Sequence, residues 1–458
     1  MKNIAALFFE IAHKHPNQVA FQQGNNQLTY TEMAELVSAQ SKDLHQKNIK
    51  SGDRVLLAVP VGISFYVSVL ALFSVGATVV LTDNFKNKKT VEDIFFDMNC
   101  VSILTNRKIW WLRYFVLSKR LWKHCQTITK HSERMLTESI EVDGTQTALI
   151  TFTSGSTGKP KAANRTHEFL HRQLQAVVEE MKIDSNSVHL SSLPVVSLCN
   201  LASGAETVLK PTTSQIERIN LVSGSPYHVH NMLKTLTHTN NLRVFIGGSV
   251  IYPAFAEMLR EQWPQTTCSF AYGSTEAEPM AVISLADYQK DLNELGVPVG
   301  TVHKNLELTI ETMLVFDDLE IGEILVRGNH VLPSYMNAAD NEKKYKNGWL
   351  KTGDIGYLLH GRLFFLGRRQ FCWIENGRFH SPLDVERLNQ RVYPKATQLQ
   401  INGERVLFYE RDIEKSSLEI IHQQYTFDRE VSVPFFAYDK RHNSRIRYDL
   451  LEKELITE

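Results

Sequence analysis

Neither sign of charge prevails in this chain of 458 residues: 50 Lys and Arg stand against 50 Asp and Glu, for a formal net charge of zero. That balance removes the global electrostatic case for nucleic acid, which asks for a basic excess, so no nucleic-acid partner is expected. Cysteine is scarce. The five, Cys100, Cys125, Cys199, Cys268 and Cys372, are far apart, odd in number and form no CxxC or Cys/His ligand spacing. This argues against a disulfide framework or a zinc site and for a reducing compartment, so a cytoplasmic location is expected. Glycine (23) and proline (14) are too few for a collagen-like or low-complexity chain. Disorder as the main state is excluded by a hydrophobic content of 43% against 22% charged residues, which leaves apolar surface to offset chain entropy. No internal repeat and no acidic or basic tail is found. The opening MKNIAALFFEIAHKHP lacks a small-residue cleavage site and is interrupted by Glu10 and histidines; it reads as a first helix and not a signal peptide.

One long uncharged run is present, residues 55–82. By length alone it would pass for a membrane span. Pro60, Gly62 and Gly76 divide it, however, into a strand (54–59), a helix (63–75) and a strand (77–82). That is a βαβ unit, whose strands are covered on both faces and need no polar alternation.

The length suggests roughly two to four domains. Thr29 and Glu32 in LTYTEM have capping-box spacing and start a helix. Alternating strand and helix patterns continue to about residue 290, through 147–153, 219–226 and 242–248, and favour an α/β architecture with a parallel sheet. Beyond residue 290, LELTIE, GEILVRG, WLKTGD and GRLFFLGR are short strands between glycine turns, a smaller β-rich subdomain. QLQING and RVLFYE form a hairpin about Asn402-Gly403, and RYDLLEKEL reads as a helix. Residues 107–124 carry six Lys/Arg, no acid and three of the six Trp. On a helix, Lys108, Arg113, Lys119, Arg120 and Lys123 fall on one side and Trp110, Trp111, Tyr114, Leu117, Leu121 and Trp122 on the other. Such a helix packs its aromatic face on the core; the sharper alternative is peripheral contact with an anionic membrane surface.

The segment that carries chemistry is TFTSGSTGKPKAANRTH, residues 151–167. A strand runs into a loop in which Gly155 and Gly158, lacking Cβ, let backbone N–H groups approach an anion closely. Thr153, Ser154, Ser156 and Thr157 add hydroxyl donors, and Lys159 and Lys161 add positive charge. By composition this is a phosphate cradle. It is not a Walker A loop, which needs four residues between its glycines and Ser/Thr after the Lys. His167 reads as structural.

At these residues the chain resembles the superfamily of AMP-forming adenylating enzymes: acyl-CoA synthetases, peptide-synthetase adenylation domains and luciferases. LTYTEM (28–33), STGKPK, FIGGSV (245–250), AYGSTEAEP (271–279), GWLKTGDIGYL (348–358) and GRRQ (367–370) are similar to the family's signatures and keep their order. The resemblance implies a large N-terminal adenylate-forming domain, residues 1–367, of parallel sheets with helices plus a small β-rich subdomain. It also implies a small α+β C-terminal lid, residues 368–458, hinged near Gln370. The implied reaction is attack of a carboxylate on the α-phosphorus of ATP with release of pyrophosphate, then transfer of the acyl group to a thiol.

Both reactants are anionic, so fixed donors and a magnesium ion must neutralise charge. By resemblance, Thr153, Ser154, Gly155, Ser156, Thr157, Gly158 and Lys159 hold phosphate with Lys161 beside them, Glu276 is the magnesium ligand, and Thr275 donates to phosphate oxygens. Gly247, Gly248 and Ser249 form the adenine-side turn, Tyr272 offers a ring for stacking with Gly273 next to it, Asp354 suits a ribose diol, and Arg368 reaches ribose or phosphate. Small residues Ser203, Gly204, Ser223, Gly224 and Gly247 are expected to leave room for an apolar, fatty-type carboxylate. Coenzyme A, an acyl carrier protein and the substrate's own hydroxyl are the candidate acceptors.

Some pieces, residues 193–204, 223–233 and 439–446, resemble a narrower group, the β-lactone synthetases of bacterial olefin biosynthesis, which would close a β-hydroxy acid on itself. One departure stands out. Where the family carries a lysine that contacts the carboxylate and α-phosphate, this chain has Arg445, and Arg is bulkier and planar. A degenerate homologue that binds nucleotide or acyl group is therefore the alternative to an active ligase.

Overall fold

The computed structural model describes residues 3–82, 85, 87–106, 117–128, 139–153, 161–236, 241–293, 295–388, 393–439 and 443–455. The chain forms two compact units. One comprises Met1–Ile219, Thr275–Ala277 and Asn329–Lys343; the other comprises Asn220–Ser274, Glu278–Gly328 and Lys344–Glu458. The expected lid, 368–458, lies whole within the second.

In the first unit, the uncharged run resolves into strand Arg54–Ala58, helix Ile63–Ser74 and strand Thr78–Leu81. The two strands are parallel, with Val55 beside Val79, and their apolar side chains are buried on both faces. The helix has 12 residues, so at about 1.5 Å per residue it falls well short of a bilayer's hydrocarbon core. Among the described residues no helix is long and apolar enough to cross a membrane. Gly76 turns the chain back at φ +70°, and a Cβ there would meet Ser51 Oγ at 2.6 Å.

The sheet runs, edge to edge, Ser334–Tyr335, Lys161–Thr166, Thr147–Thr153, Thr78–Leu81, Arg54–Ala58, Cys100–Thr105, Cys125–Thr127. It is parallel except where Lys161–Thr166 pairs antiparallel with both its neighbours. A second sheet holds Val19–Gln23, Asn26–Thr29, Glu206–Leu209 and Val188–Ser191. Thr29 starts helix Tyr30–Gln46 with a full capping box, its N–H donating to Glu32 Oε2 at 2.8 Å and its Oγ1 accepting from Glu32 N at 3.2 Å.

One expectation changes here. Residues 107–116 of the aromatic-basic segment lie outside the described residues, and Lys119–His124 form a 3₁₀ turn and not part of an α-helix. Three residues per turn replace the helical wheel. Leu117 and Leu121 are buried in the sheet's core, Trp122 packs against it, and Arg120 reaches Glu92 at 2.9 Å. Gly204 makes a turn at φ +85°, and a Cβ there would lie 3.4 Å from both His15 Cδ2 and Ser185 Cβ. Its smallness serves that turn.

In the second unit, Leu221–Gly224, Arg243–Gly247 and Thr267–Ser274 are parallel. The sheet continues into the expected β-rich part, an antiparallel array of Val297–Val302, Arg362–Arg368, Trp349–Leu359, Leu319–Gly328 and Leu306–Phe316. Toward the C-terminus, Ala396–Ile401 and Glu404–Glu410 form the predicted hairpin, with Asn402 and Gly403 at φ 54° and 88°, as a type I′ turn requires. Arg429–Val433 adds a third strand, and Tyr448–Glu454 is the terminal helix. None of the five cysteines is joined in a disulfide.

Candidate active site

Thr153 pairs with Lys161 at the open end of the antiparallel strands Thr147–Thr153 and Lys161–Thr166. The glycine-rich segment therefore connects two antiparallel strands. The strand Lys161–Thr166 follows it. Ser154, Gly155, Ser156, Thr157, Gly158 and Lys159 lie outside the described residues; the stems at Thr153 and Lys161 are placed.

Around those stems the first unit gathers Thr275 and Glu276. Tyr335 extends the sheet by pairing with Ala163 and donates its hydroxyl to Glu276 Oε1 at 2.5 Å. The buried Lys161 lies with Nζ 3.9 Å from Asp340 Oδ1 and 5.9 Å from the centre of the Tyr335 ring. Arg165, also buried, donates from Nη2 to the Thr275 carbonyl at 3.2 Å, and Leu332 N donates to the Glu276 carbonyl at 2.6 Å. Among the described residues no group of three or more His, Cys, Asp or Glu could hold a metal ion. That suits magnesium bound with a nucleotide, which rests on one or two carboxylates while phosphate oxygens and water supply the rest. Glu276, half-buried and anchored at one oxygen, fits that role.

The second unit carries the other predicted residues. Gly248 takes φ +83°, which favours glycine there, and a Cβ on Gly247 would stand a tight 3.1 Å from Ala271 O. Tyr272 donates its hydroxyl to Asp354 Oδ2 at 2.7 Å. Arg368, opposite Asp354 in the strand register, brings Nη1 to 2.9 Å from Asp354 Oδ1. Burial, reinforced by the Asp354 charge, holds the Tyr272 phenol well above its ordinary pKa, so it stays a donor.

Arg445 sits at the Gly247–Gly248–Ser249 turn. Its Nε donates to Gly248 O at 2.6 Å, and Ser249 Oγ donates to Ser444 O at 3.0 Å. Asp439 shapes that loop by accepting Arg445 N at 3.1 Å on Oδ1. The residue aligned with the family's lysine is thus brought to the Gly247–Ser249 turn. Gly273 lies on strand Thr267–Ser274 just beyond Tyr272.

Four residues escaped the sequence reading. Tyr335, Asp340 and Arg165 organise Lys161, Glu276 and Thr275. Glu323, buried in strand Leu319–Gly328, accepts Gly353 N at 3.2 Å and pairs with Arg369, beside the expected hinge. The available signal was a charged residue inside a largely apolar strand, at Glu323 in GEILVRG.

The profile of the family described as AMP-binding enzyme matches residues 8–336. 4-Coumarate–CoA ligase 3 of Arabidopsis thaliana is 29% identical over 261 residues, which cover 50% of this chain and 46% of that protein. 2-Succinylbenzoate–CoA ligase of Bacillus subtilis is 25% identical over 402 residues, covering 81% and 79%. In fold, the chain resembles o-succinylbenzoate coenzyme A synthetase of Bacillus subtilis, solved with ATP and magnesium, at a TM-score of 0.82, 20% identity and coverage of 98% of this chain and 99% of that one. A profile match spanning most of the chain, which includes the loop stems, Tyr272 and Glu276, means that this chain belongs to the AMP-binding enzyme family.

Proposed function

We propose that the protein activates a carboxylic acid with ATP, forming an acyl-adenylate and pyrophosphate, and then passes the acyl group to coenzyme A. The observation that carries this is the gathering of Glu276 and Thr275 onto the stem of the 154–160 loop through Tyr335. A triphosphate held by Thr153, Ser154, Gly155, Ser156, Thr157, Gly158 and Lys159 would meet its counter-charge there. Magnesium at Glu276 would neutralise phosphate charge as pyrophosphate leaves. Asp354 and Arg368 take the ribose, with Tyr272 and the Gly247–Ser249 turn on the adenine side. Residues 368–458 act as a lid that turns about the segment near Gln370 between the two half-reactions.

Relatives named as CoA ligases support coenzyme A over a carrier protein or an internal hydroxyl as the acceptor. The acid is proposed to be apolar. Incubating the protein with ATP, magnesium and a panel of acids, with and without coenzyme A, and reading pyrophosphate and product masses tests this. Acid-dependent pyrophosphate with an acyl-CoA mass is the expected result. A product mass equal to the acid less water, without coenzyme A, would replace the thiol acceptor by the internal hydroxyl. No pyrophosphate with any acid would overturn the ligase reading.

Arg445 in place of the family's lysine favours one second reading, a chain that binds nucleotide but adenylates poorly. A large gain of pyrophosphate release in Arg445→Lys would support it.

A further inference from the structure

Glu386 is a buried carboxylate that the ligase chemistry leaves unused. It closes the short helix Leu383–Glu386 within the proposed lid. Three hydroxyls converge on it: Tyr252 Oη on Oε2 at 2.7 Å, and Thr397 Oγ1 and Tyr448 Oη on Oε1 at 2.7 and 2.5 Å. Among the described residues no Lys or Arg pairs with it. Burial raises its carboxyl above the ordinary value, and the three hydroxyl bonds oppose that rise.

The donors come from three places. Thr397 belongs to the lid's own sheet. Tyr448 opens the terminal helix, three residues beyond Arg445, and its ring lies 4.7 Å from that of Phe371, next to Gln370. Tyr252 lies outside the lid, three residues beyond Ser249, and caps helix Pro253–Gln262. Its neighbour Ile251 is held by a hydrogen bond from Tyr288 Oη to the Ile251 carbonyl at 2.5 Å. The Arg445 segment is therefore tied to the 247–252 segment twice. One tie is direct, through Gly248 O with Arg445 and Ser249 with Ser444. The other runs Tyr252–Glu386–Tyr448.

We propose that Glu386 is a positioning residue: its carboxylate clamps Tyr448 to Tyr252 and so holds Arg445 on the Gly247–Ser249 turn. The clamp suits a lid that must also leave. All three donors are neutral, so releasing Tyr252 leaves the carboxylate its two lid hydroxyls and strands no cation. A misplacement of about 1 Å at a reacting group is enough to cost a large factor in rate, which gives the second tie its purpose. The catalytic meaning of the clamp rests on the ligase reading above; its existence does not.

The test uses the full-length protein and the variants Tyr252→Phe, which removes one hydroxyl, and Glu386→Gln, which keeps the shape and removes the charge. Hydrogen exchange read by mass spectrometry over residues 445–455 is expected to speed up about tenfold or more in both variants, since each loses a charge-assisted bond. Unchanged exchange there, or an equal rise throughout residues 220–274, overturns the clamp. In the acid-dependent assay, Tyr252→Phe is expected to lower kcat for acyl-adenylate formation by about tenfold, with KM for ATP and thioester formation from supplied acyl-adenylate within about twofold. Equal losses in both half-reactions would make Glu386 merely structural. A wild-type protein without acid-dependent pyrophosphate release fails the ligase reading alone, and the exchange data still decide the clamp.

Discussion

At the scale of single residues, the informative side chains are those whose partners fix their protonation. Tyr335, a neutral phenol, donates to Glu276 Oε1, an anchor that leaves the carboxylate its charge. Glu276→Gln keeps an acceptor for Tyr335 and removes that charge. Acid-dependent pyrophosphate release is expected to fall about 100-fold; an unchanged rate would remove Glu276 from the chemistry. His167 is a different case. Its Nδ1 accepts the Ile4 N–H at 3.1 Å, and burial lowers its pKa from 6.5 to about 4. In the unfolded chain it protonates near 6.5, so between pH 6.5 and 4 the unfolded state binds the extra proton. Stability is thus complete above about 6.5 and is lost as pH falls toward 4, by on the order of 3 kcal/mol. His171, lowered by burial as well, adds to the same slope. The thermal midpoint of His167→Asn should depend less steeply on pH across that window than that of the wild type. Equal slopes would refute the assignment. The reading of His167 as structural agrees with its place at the start of helix His167–Met181.

At the scale of elements, the turns separate two costs that a sequence presents as one. Gly76 and Gly403 both take a positive φ, at 70° and 88°, but a Cβ on Gly76 would meet Ser51 Oγ at 2.6 Å and Ile140 Cδ1 at 2.9 Å, while one on Gly403 meets nothing within 4 Å. Gly403→Ala should therefore cost only the left-handed strain, about 1 kcal/mol. Gly76→Ala adds a clash and should cost roughly 2–4 kcal/mol. Urea unfolding of the two variants checks this, and equal midpoints would contradict it. Both turns were legible from residue type, as were the capping box at Thr29 and the Asn402-Gly403 hairpin, because each depends on local backbone preference. The 3₁₀ turn at Lys119–His124 was not. Its geometry answers to Leu117 and Leu121 entering the core, a tertiary demand that no helical wheel contains.

At the scale of the whole molecule, the ligase reading makes catalysis depend on a divalent ion for which the described residues form no cage. With one carboxylate in place of a three-ligand cluster, the ion is expected to arrive with the nucleotide and to exchange freely. Chelation should abolish acid-dependent pyrophosphate release while leaving the nucleotide-free thermal midpoint within about 1 °C, and added magnesium should restore activity in full. A midpoint that drops on chelation would point to a structural metal.

The residue types alone determined the order of motifs, the βαβ reading of residues 55–82 and the loop of small, hydroxylated and basic residues after a strand. All of these are set by spacing and local stereochemistry. Only the tertiary structure decided which side chains hold the motifs in place: Tyr335 on Glu276, Arg165 on Thr275, Glu323 on Arg369, and Glu386 between Tyr252 and Tyr448. Such partners are 46 to 134 residues apart, and no local pattern announces their pairing. A buried polar group takes its partner from whatever the fold brings within hydrogen-bond reach, and that neighbourhood exists only once the chain has closed on itself.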